Sequence, residues 1–223
     1  MFACKLAVNT NERRQKMDIR KAELEDSDKI SELVYKAFKN YELFNIPSNH
    51  SSKISALQEI FKLNTIAYIN EKSCYVCFED GDLIGTFNLI NLQNSSVTIF
   101  DYLKAGAFVS LFKINMLTTS KILKNIIKAD SILNEYKPKY WYLDTLVISP
   151  QKQGSGFGSQ IITQIKKMIQ NKSKQSNLRL ITNSNVNAKF YIKNGFSITK
   201  KETFTMKENK ITTWSFLYQD TII

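Results

Sequence analysis

The sequence is poor in several residue types on which common active sites depend. It has one histidine, four arginines, three cysteines, three prolines and seven glycines in 223 residues. A Ser-His-Asp triad or a Cys-His pair would have to use His50, which lies in the polar run Pro47 to Ser52 with no evident partner. Hydrolase chemistry of that type is therefore unsupported. Three cysteines give no disulfide framework. Cys74 and Cys77 have C-x-x-C spacing but sit in a strand-like run, Ser73 to Phe78, where positions three apart face opposite ways. No second cysteine pair or histidine follows, so a zinc site lacks ligands. Both are expected to be buried structural thiols.

Other absences are equally informative. So little glycine and proline rules out low-complexity linkers and collagen. No run reaches the ~20 apolar residues of a membrane span, and the longest, Ala105 to Leu117, is interrupted by Lys113. The start, Met1 to Val8, is too short and too polar afterwards for a signal peptide. Residues 1–16 read as a polar extension, Met17 as an alternative start, and the expected location is cytoplasmic. The net charge of +11 comes from 27 lysines with only four arginines. Arginine is the better residue for forked contacts to phosphate and guanine, so no nucleic-acid partner is expected.

What is present alternates between strand and helix patterns. Met17 to Ala22 alternates like a strand, and a helix with Ile30, Leu33, Val34, Ala37 and Phe38 on one face follows. A second helical pattern covers Ile54 to Leu63. The runs Cys74 to Phe78 and Leu83 to Leu92 flank Asp80-Gly81, a strong hairpin signal. Phe100 to Tyr136 reads helical, within an insert of about residues 93–138. Its apolar stripe is expected to pack on the domain's own sheet, with an interfacial membrane helix as the alternative, and no membrane partner is expected. Tyr140 to Ser149 reads as a buried central strand, ended by Pro150. A helix from about Ser159 to Asn171, a strand Leu178 to Thr182, a short helix Asn187 to Asn194 and two closing strands complete a single domain, 17–223.

The most informative unit is the loop between the central strand and its helix, Gln153-Gly154-Ser155-Gly156-Phe157-Gly158. Alternate glycines permit unusual dihedrals and close approach of a ligand to the backbone. Amides at the following helix start can then converge on an anion. The loop is not a P-loop, because the Lys-Ser/Thr pair is missing. It is not a dinucleotide fingerprint either: the spacing is G-x-G-x-G, and Leu178 to Thr182 supplies no acid. The alternative is a tight turn with no ligand.

Ile148-Ser149-Pro150 followed by Gln153 to Gly158 resembles the acetyl-coenzyme A signature of the GNAT N-acetyltransferase superfamily, V-x-P-x-x-[QR]-G-x-G-x-G. Asn187 to Phe196 resembles the family's N-x-x-F-Y-x-K-x-G-F segment at the right distance. Trp141-Tyr142-Leu143 and the insert look most like the puromycin N-acetyltransferase-like branch. The resemblance implies an α/β (mixed α+β) domain. Its largely antiparallel sheet would splay between two central strands, with helices on both faces.

The resemblance also implies a site. The pantetheine arm of acetyl-CoA would pair with the backbone of Leu146, Val147 and Ile148. One of their N–H groups would polarise the thioester carbonyl. The amides of Gln153, Gly154, Ser155, Gly156, Phe157, Gly158 and Ser159 would bind the pyrophosphate. The family often has a cation at the Ser155 position, so Lys152 is expected to help instead. Tyr191 matches the tyrosine that protonates the departing thiolate, with a core aromatic as the alternative. Asn187 is expected to cap its helix or contact the cofactor. Ile181 stands where some relatives have a glutamate base. Asp144 is the nearest substitute, with a structural hydrogen bond or a water chain as alternatives. No metal is implied. The expected activity is direct acetyl transfer in a ternary complex to an amine of a small molecule or peptide. The alternative is a non-catalytic acyl-CoA-binding or sensing module. Homodimers are frequent in the family, and the oligomeric state is left open.

Overall fold

The computed structural model describes residues 17–137, 139–172, 177–206 and 209–219. The expected N-terminal extension and Cys4 lie outside the described residues. Seven strands form one sheet, in the order β1-β2-β3-β4-β5-β7-β6. These are β1 (Met17–Lys21), β2 (Cys74–Glu79), β3 (Asp82–Asn91), β4 (Trp141–Ile148), β5 (Asn177–Thr182), β6 (Ser197–Met206) and β7 (Asn209–Gln219). Only β4 and β5 run parallel; every other pair is antiparallel. The β2–β3 turn has Asp80 and Gly81 both at positive φ, 49° and 86°. That is the type I′ geometry that matches strand twist, and an Asp-Gly pair suits it.

Helices cover both faces. On one side lie α1 (Ser27–Phe38), α2 (His50–Asn70) and α5 (Met116–Asp130), preceded by the short α3 (Ile99–Lys104) and α4 (Ala107–Ser110). Ile30, Leu57, Phe61, Val76, Ile90 and Ile122 meet there. On the other side lie α6 (Phe157–Gln170) and α7 (Asn185–Lys193), packed through Phe87, Leu143, Ile161, Ile165, Leu180 and Phe216. Cys74 belongs to the first core and Cys77 to the second. Both thiols are free, and burial pushes each up to about 12.

Four local expectations need correction. The second helix begins at His50, because the Asn49 side chain accepts from the Ser51 amide and caps it. The histidine thus opens a helix instead of lying in a loop. The cap of α7 is Ser184, whose hydroxyl accepts from the Asn187 amide, so Asn187 is inside the helix. The insert's apolar stripe packs on the sheet only in part: Ile122 and Ile126 join the first core with Val76, Ile90 and Tyr142. Helix α5 lies against α2 and turns Thr118, Thr119 and Asn125 inward, while Met116, Leu117, Leu123 and Ile127 stay exposed. Strand β4, finally, does not alternate regularly.

That irregularity is a β-bulge. Asn88 pairs with Thr145 and the next residue, Leu89, pairs with Leu143, leaving Asp144 as an extra residue. A bulge breaks the two-residue period. Tyr142 and Leu143 face the first and second cores respectively, yet beyond the bulge Val147 faces the first and Leu146 and Ile148 the second.

Gly85 lies opposite Ile148, where an added Cβ would stand 2.8 Å from the Val147 carbonyl oxygen and 3.1 Å from Ile148 Cδ1. The first neighbour is backbone in a central strand and cannot step aside. Gly85→Ala is expected to destabilise by about 1–3 kcal/mol, the usual range for overpacking, measured by urea unfolding. Wild-type stability in that variant would show that β3 and β4 can separate at this point.

Candidate active site

The parallel pair β4–β5 is joined only at Trp141–Leu178 and Tyr142–Arg179. Beyond Tyr142 the two strands diverge, so one edge of β4 is left without a strand partner. The Ser149 amide donates to the Ile84 carbonyl on the β3 side. By strand alternation the Val147 amide also faces β3, and those of Leu146 and Ile148 face the gap. The Ile148 carbonyl accordingly takes a hydrogen bond from Gln153 Nε2 at 3.1 Å. Leu146 and Ile148 also line the adjoining cavity, and Val147 does not.

That cavity, about 390 Å³, is walled by the glycine loop and the start of α6 on one side and by Val186, Asn187, Phe190 and Tyr191 of α7 on the other. Gly154 and Gly156 have φ of 80° and 85°, a left-handed geometry that suits glycine. Gly156 caps α6, and the first intrahelical bond runs from the Gln160 amide to the Gly156 carbonyl. The amides of Phe157, Gly158 and Ser159 therefore have no intrahelical acceptor and sit at the positive end of a fourteen-residue helix. Phe157 is buried in the core and fixes the helix start. A Cβ on Gly158 would press on the Phe190 ring at 3.1 Å. Ser155 is exposed and does not line the cavity, whereas Gln153 and Ser159 do. Lys152 is not a free cation: its ammonium pairs with the buried Glu79 at 2.5 Å. Lys193, which the sequence did not single out, is the other lysine on the wall.

A second cavity, about 280 Å³, lies between α1, α2, the insert and the diverging ends of β4 and β5. Its wall is largely apolar and aromatic, with Phe38, Phe44, Phe61, Tyr102 and Tyr142. It carries two carboxylates, Asp130 and Asp144, and neither lysine nor arginine among the described residues. The bulge delivers Asp144 to this wall. Its Oδ2 accepts from Thr145 Oγ1 at 2.9 Å and from Asn64 and Asn88 Nδ2, each at 3.4 Å. Tyr102 of α3 donates to Asn64 Oδ1 at 2.9 Å, extending the chain into the insert. Burial nevertheless holds the Asp144 carboxyl above the usual carboxylate range.

Asp130 escaped the sequence reading. It ends α5, where negative charge opposes the helix dipole, and that unfavourable placement was the signal available. Asp130 stays accessible to solvent at the cavity mouth, yet desolvation by the surrounding apolar wall, then the charge of Asp144, pushes its carboxyl up to about 7. The cavities share three residues, Leu146, Asn187 and Tyr191. Tyr191 is 8% exposed, packed edge-on against Phe190 and Phe196. Burial raises its hydroxyl, so it holds its proton at neutral pH.

Comparison with known proteins agrees with this geometry. Residues 122–198 match the family model of the acetyltransferase (GNAT) domain. No curated protein matches the chain. Among solved structures, the polyamine N-acetyltransferase of Drosophila melanogaster aligns over 91% of this chain and 99% of its own, with a TM-score of 0.57 and 10% identity. The PaiA N-acetyltransferase of Thermoplasma acidophilum, solved with coenzyme A, aligns over 89% and 98%, with TM-score 0.52 and 17% identity. A mosquito arylalkylamine N-acetyltransferase-like protein covers 92% and 100%, with TM-score 0.53 and 11% identity. These likenesses are of fold, and with the family model they support the GNAT acetyltransferase superfamily. Among the described residues no helix is long and apolar enough to cross a membrane, and no metal-binding cluster is found.

Proposed function

We propose that this GNAT domain is an acetyl-CoA-dependent N-acetyltransferase acting on a compact primary amine borne on an apolar body. One observation carries the reading: two cavities of opposite character meet at Leu146, Asn187 and Tyr191. The first offers bare amides and the Lys193 ammonium, the chemistry of a diphosphate site. The second offers carboxylates and aromatic walls, the chemistry of an ammonium on an apolar stem. Acetyl-CoA, when bound, supplies an acyl group on a thioester.

The chain's own residues do the rest. The gap-facing amide of Leu146 or Ile148 polarises the acyl carbonyl. Asp130 and Asp144 hold the ammonium, and Asp130 takes its proton. A carboxyl near 7 shortens the gap to a primary ammonium, near 10.4, from over six powers of ten to about three and a half. Tyr191 donates to the departing sulfur. Among the described residues neither lysine nor arginine lines the second cavity, which disfavours acceptors that carry a carboxylate. Its small volume disfavours bulky ones, since drug-sized ligands need about 300–1,000 Å³. The insert and Trp141-Tyr142-Leu143 support a place beside the puromycin N-acetyltransferase-like branch.

Thiol release across a panel of apolar monoamines, polyamines and amino acids tests this. Wild type is expected to prefer the monoamines, and Tyr191→Phe to lose about 10²-fold or more in kcat with coenzyme A affinity retained. Tight cofactor binding without amine-dependent release would assign the chain to acyl-CoA sensing instead.

A further inference from the structure

The segment running from α3 to α5 exposes most of its large apolar side chains, with Ile122 and Ala129 in the core. Its polar side chains, Asp101, Ser110, Thr118, Thr119 and Asn125, are buried. Eleven of the fifteen exposed large apolar side chains among the described residues belong to it. Phe112 is 81% exposed, Phe100 68%, Ile127 68% and Leu117 67%. Side chains so open project outward and do not line a groove. Phe108 and Phe112 pack edge-on at 5.8 Å, forming one knob. On α5, Met116, Leu123 and Ile127 share a stripe, with Lys124 and Lys128 beside it.

The exposed charge carried by residues 99–128 is of one sign. Lys104, Lys113, Lys124 and Lys128 are exposed, and none forms an ion pair among the described residues. Asp101, the one acid within residues 99–128, is buried. Asp101 accepts from the Thr98 amide and hydroxyl, and Asp130 faces the second cavity. A second copy of the chain would bring like charges face to face, which is unfavourable. Projecting phenylalanine, leucine and isoleucine side chains interleaved with lysines match an interfacial surface that inserts shallowly and attracts anionic headgroups.

We propose that the face formed by residues 99–128 docks this protein peripherally on an anionic lipid surface. Tyr102, Leu123, Ile126 and Asp130 of the same elements wall the second cavity. Docking therefore sets that cavity beside the lipid boundary. The proposal stands independently of the acetyltransferase reading.

Sedimentation of the full chain with phosphatidylcholine vesicles, with and without phosphatidylserine, tests it. Binding is expected to the phosphatidylserine vesicles and to weaken with salt. The Phe112→Ser, Ile127→Ser double variant keeps the net charge and changes only exposed positions. It is expected to bind at least tenfold more weakly, as loss of buried apolar area dictates. Lys104→Ser and Lys113→Ser should each weaken binding by about fivefold. Absence of vesicle binding by the wild type overturns the proposal. Binding that survives the double variant overturns it too, because lysines elsewhere then carry it. A dimer that dissociates in the double variant, with no vesicle binding, would assign the face to a second copy.

Discussion

Asp130→Asn is expected to lower kcat/KM by about 10²-fold or more, the usual contribution of a positioned base, while coenzyme A binding stays unchanged. In the wild type, kcat/KM should rise with pH through about 7 as the Asp130 carboxyl ionises. The variant should lose that limb, and steady-state rates across pH 5 to 9 would read it. A limb that persists in Asp130→Asn would remove Asp130 from the proton path. The same carboxyl makes a stability prediction of definite sign. Its folded value is raised above the unfolded 3.8, so at pH 4 the folded chain holds the proton and bears no penalty. As pH rises to about 7 and beyond, the fold must hold a charge against an apolar wall and beside Asp144, which the unfolded chain avoids. Wild-type stability should therefore fall across that window. Asp130→Asn should flatten the fall and be the more stable protein at pH 8.

The second large effect is expected at Gly156. Gly156→Glu should weaken coenzyme A binding at least 100-fold from a micromolar starting point, read by calorimetry. The residue is the cap of α6 and lines the first cavity. A carboxylate there competes for the Phe157, Gly158 and Ser159 amides. At roughly 5 Å from a diphosphate charge it adds ~3 kcal/mol of repulsion at an effective dielectric of about 20. Gly156→Ala separates charge from strain. A Cβ at Gly156 meets nothing within 4 Å, so alanine should cost only ~1–2 kcal/mol of stability for its left-handed φ, with affinity nearly intact. Unchanged affinity in the glutamate variant would mean that the diphosphate binds elsewhere.

Most of the architecture was legible because it follows from local pattern. The Asp80-Gly81 turn, the amphipathic α1 and α6 and the glycine loop each declare themselves over a few residues. The gap between β4 and β5 was reached through motif resemblance, not periodicity. Four features of the site were out of reach for physical reasons. A bulge leaves no mark in sequence, so Leu146 and Val147 could not be sorted to their faces. Asn64 reaches Asp144 across 80 positions of chain and Tyr102 reaches Asn64 across 38, and no window spans that. Lys152 looked available until the fold brought Glu79, in the β2–β3 hairpin, beneath it. The insert misled because apolar periodicity reports an amphipathic helix without saying which face turns inward.

The extra residue in β4 ties two properties together. Asp144 is both a carboxylate on the wall of the second cavity and the insertion that resets the strand's phase. Exchange of its side chain changes the charge of the pocket and leaves the phase alone. Excising the residue would rotate everything on one side of it by half a period, sending Leu146 and Ile148 to the opposite layer. At this position chemistry can drift by point substitution, but the length of the strand cannot.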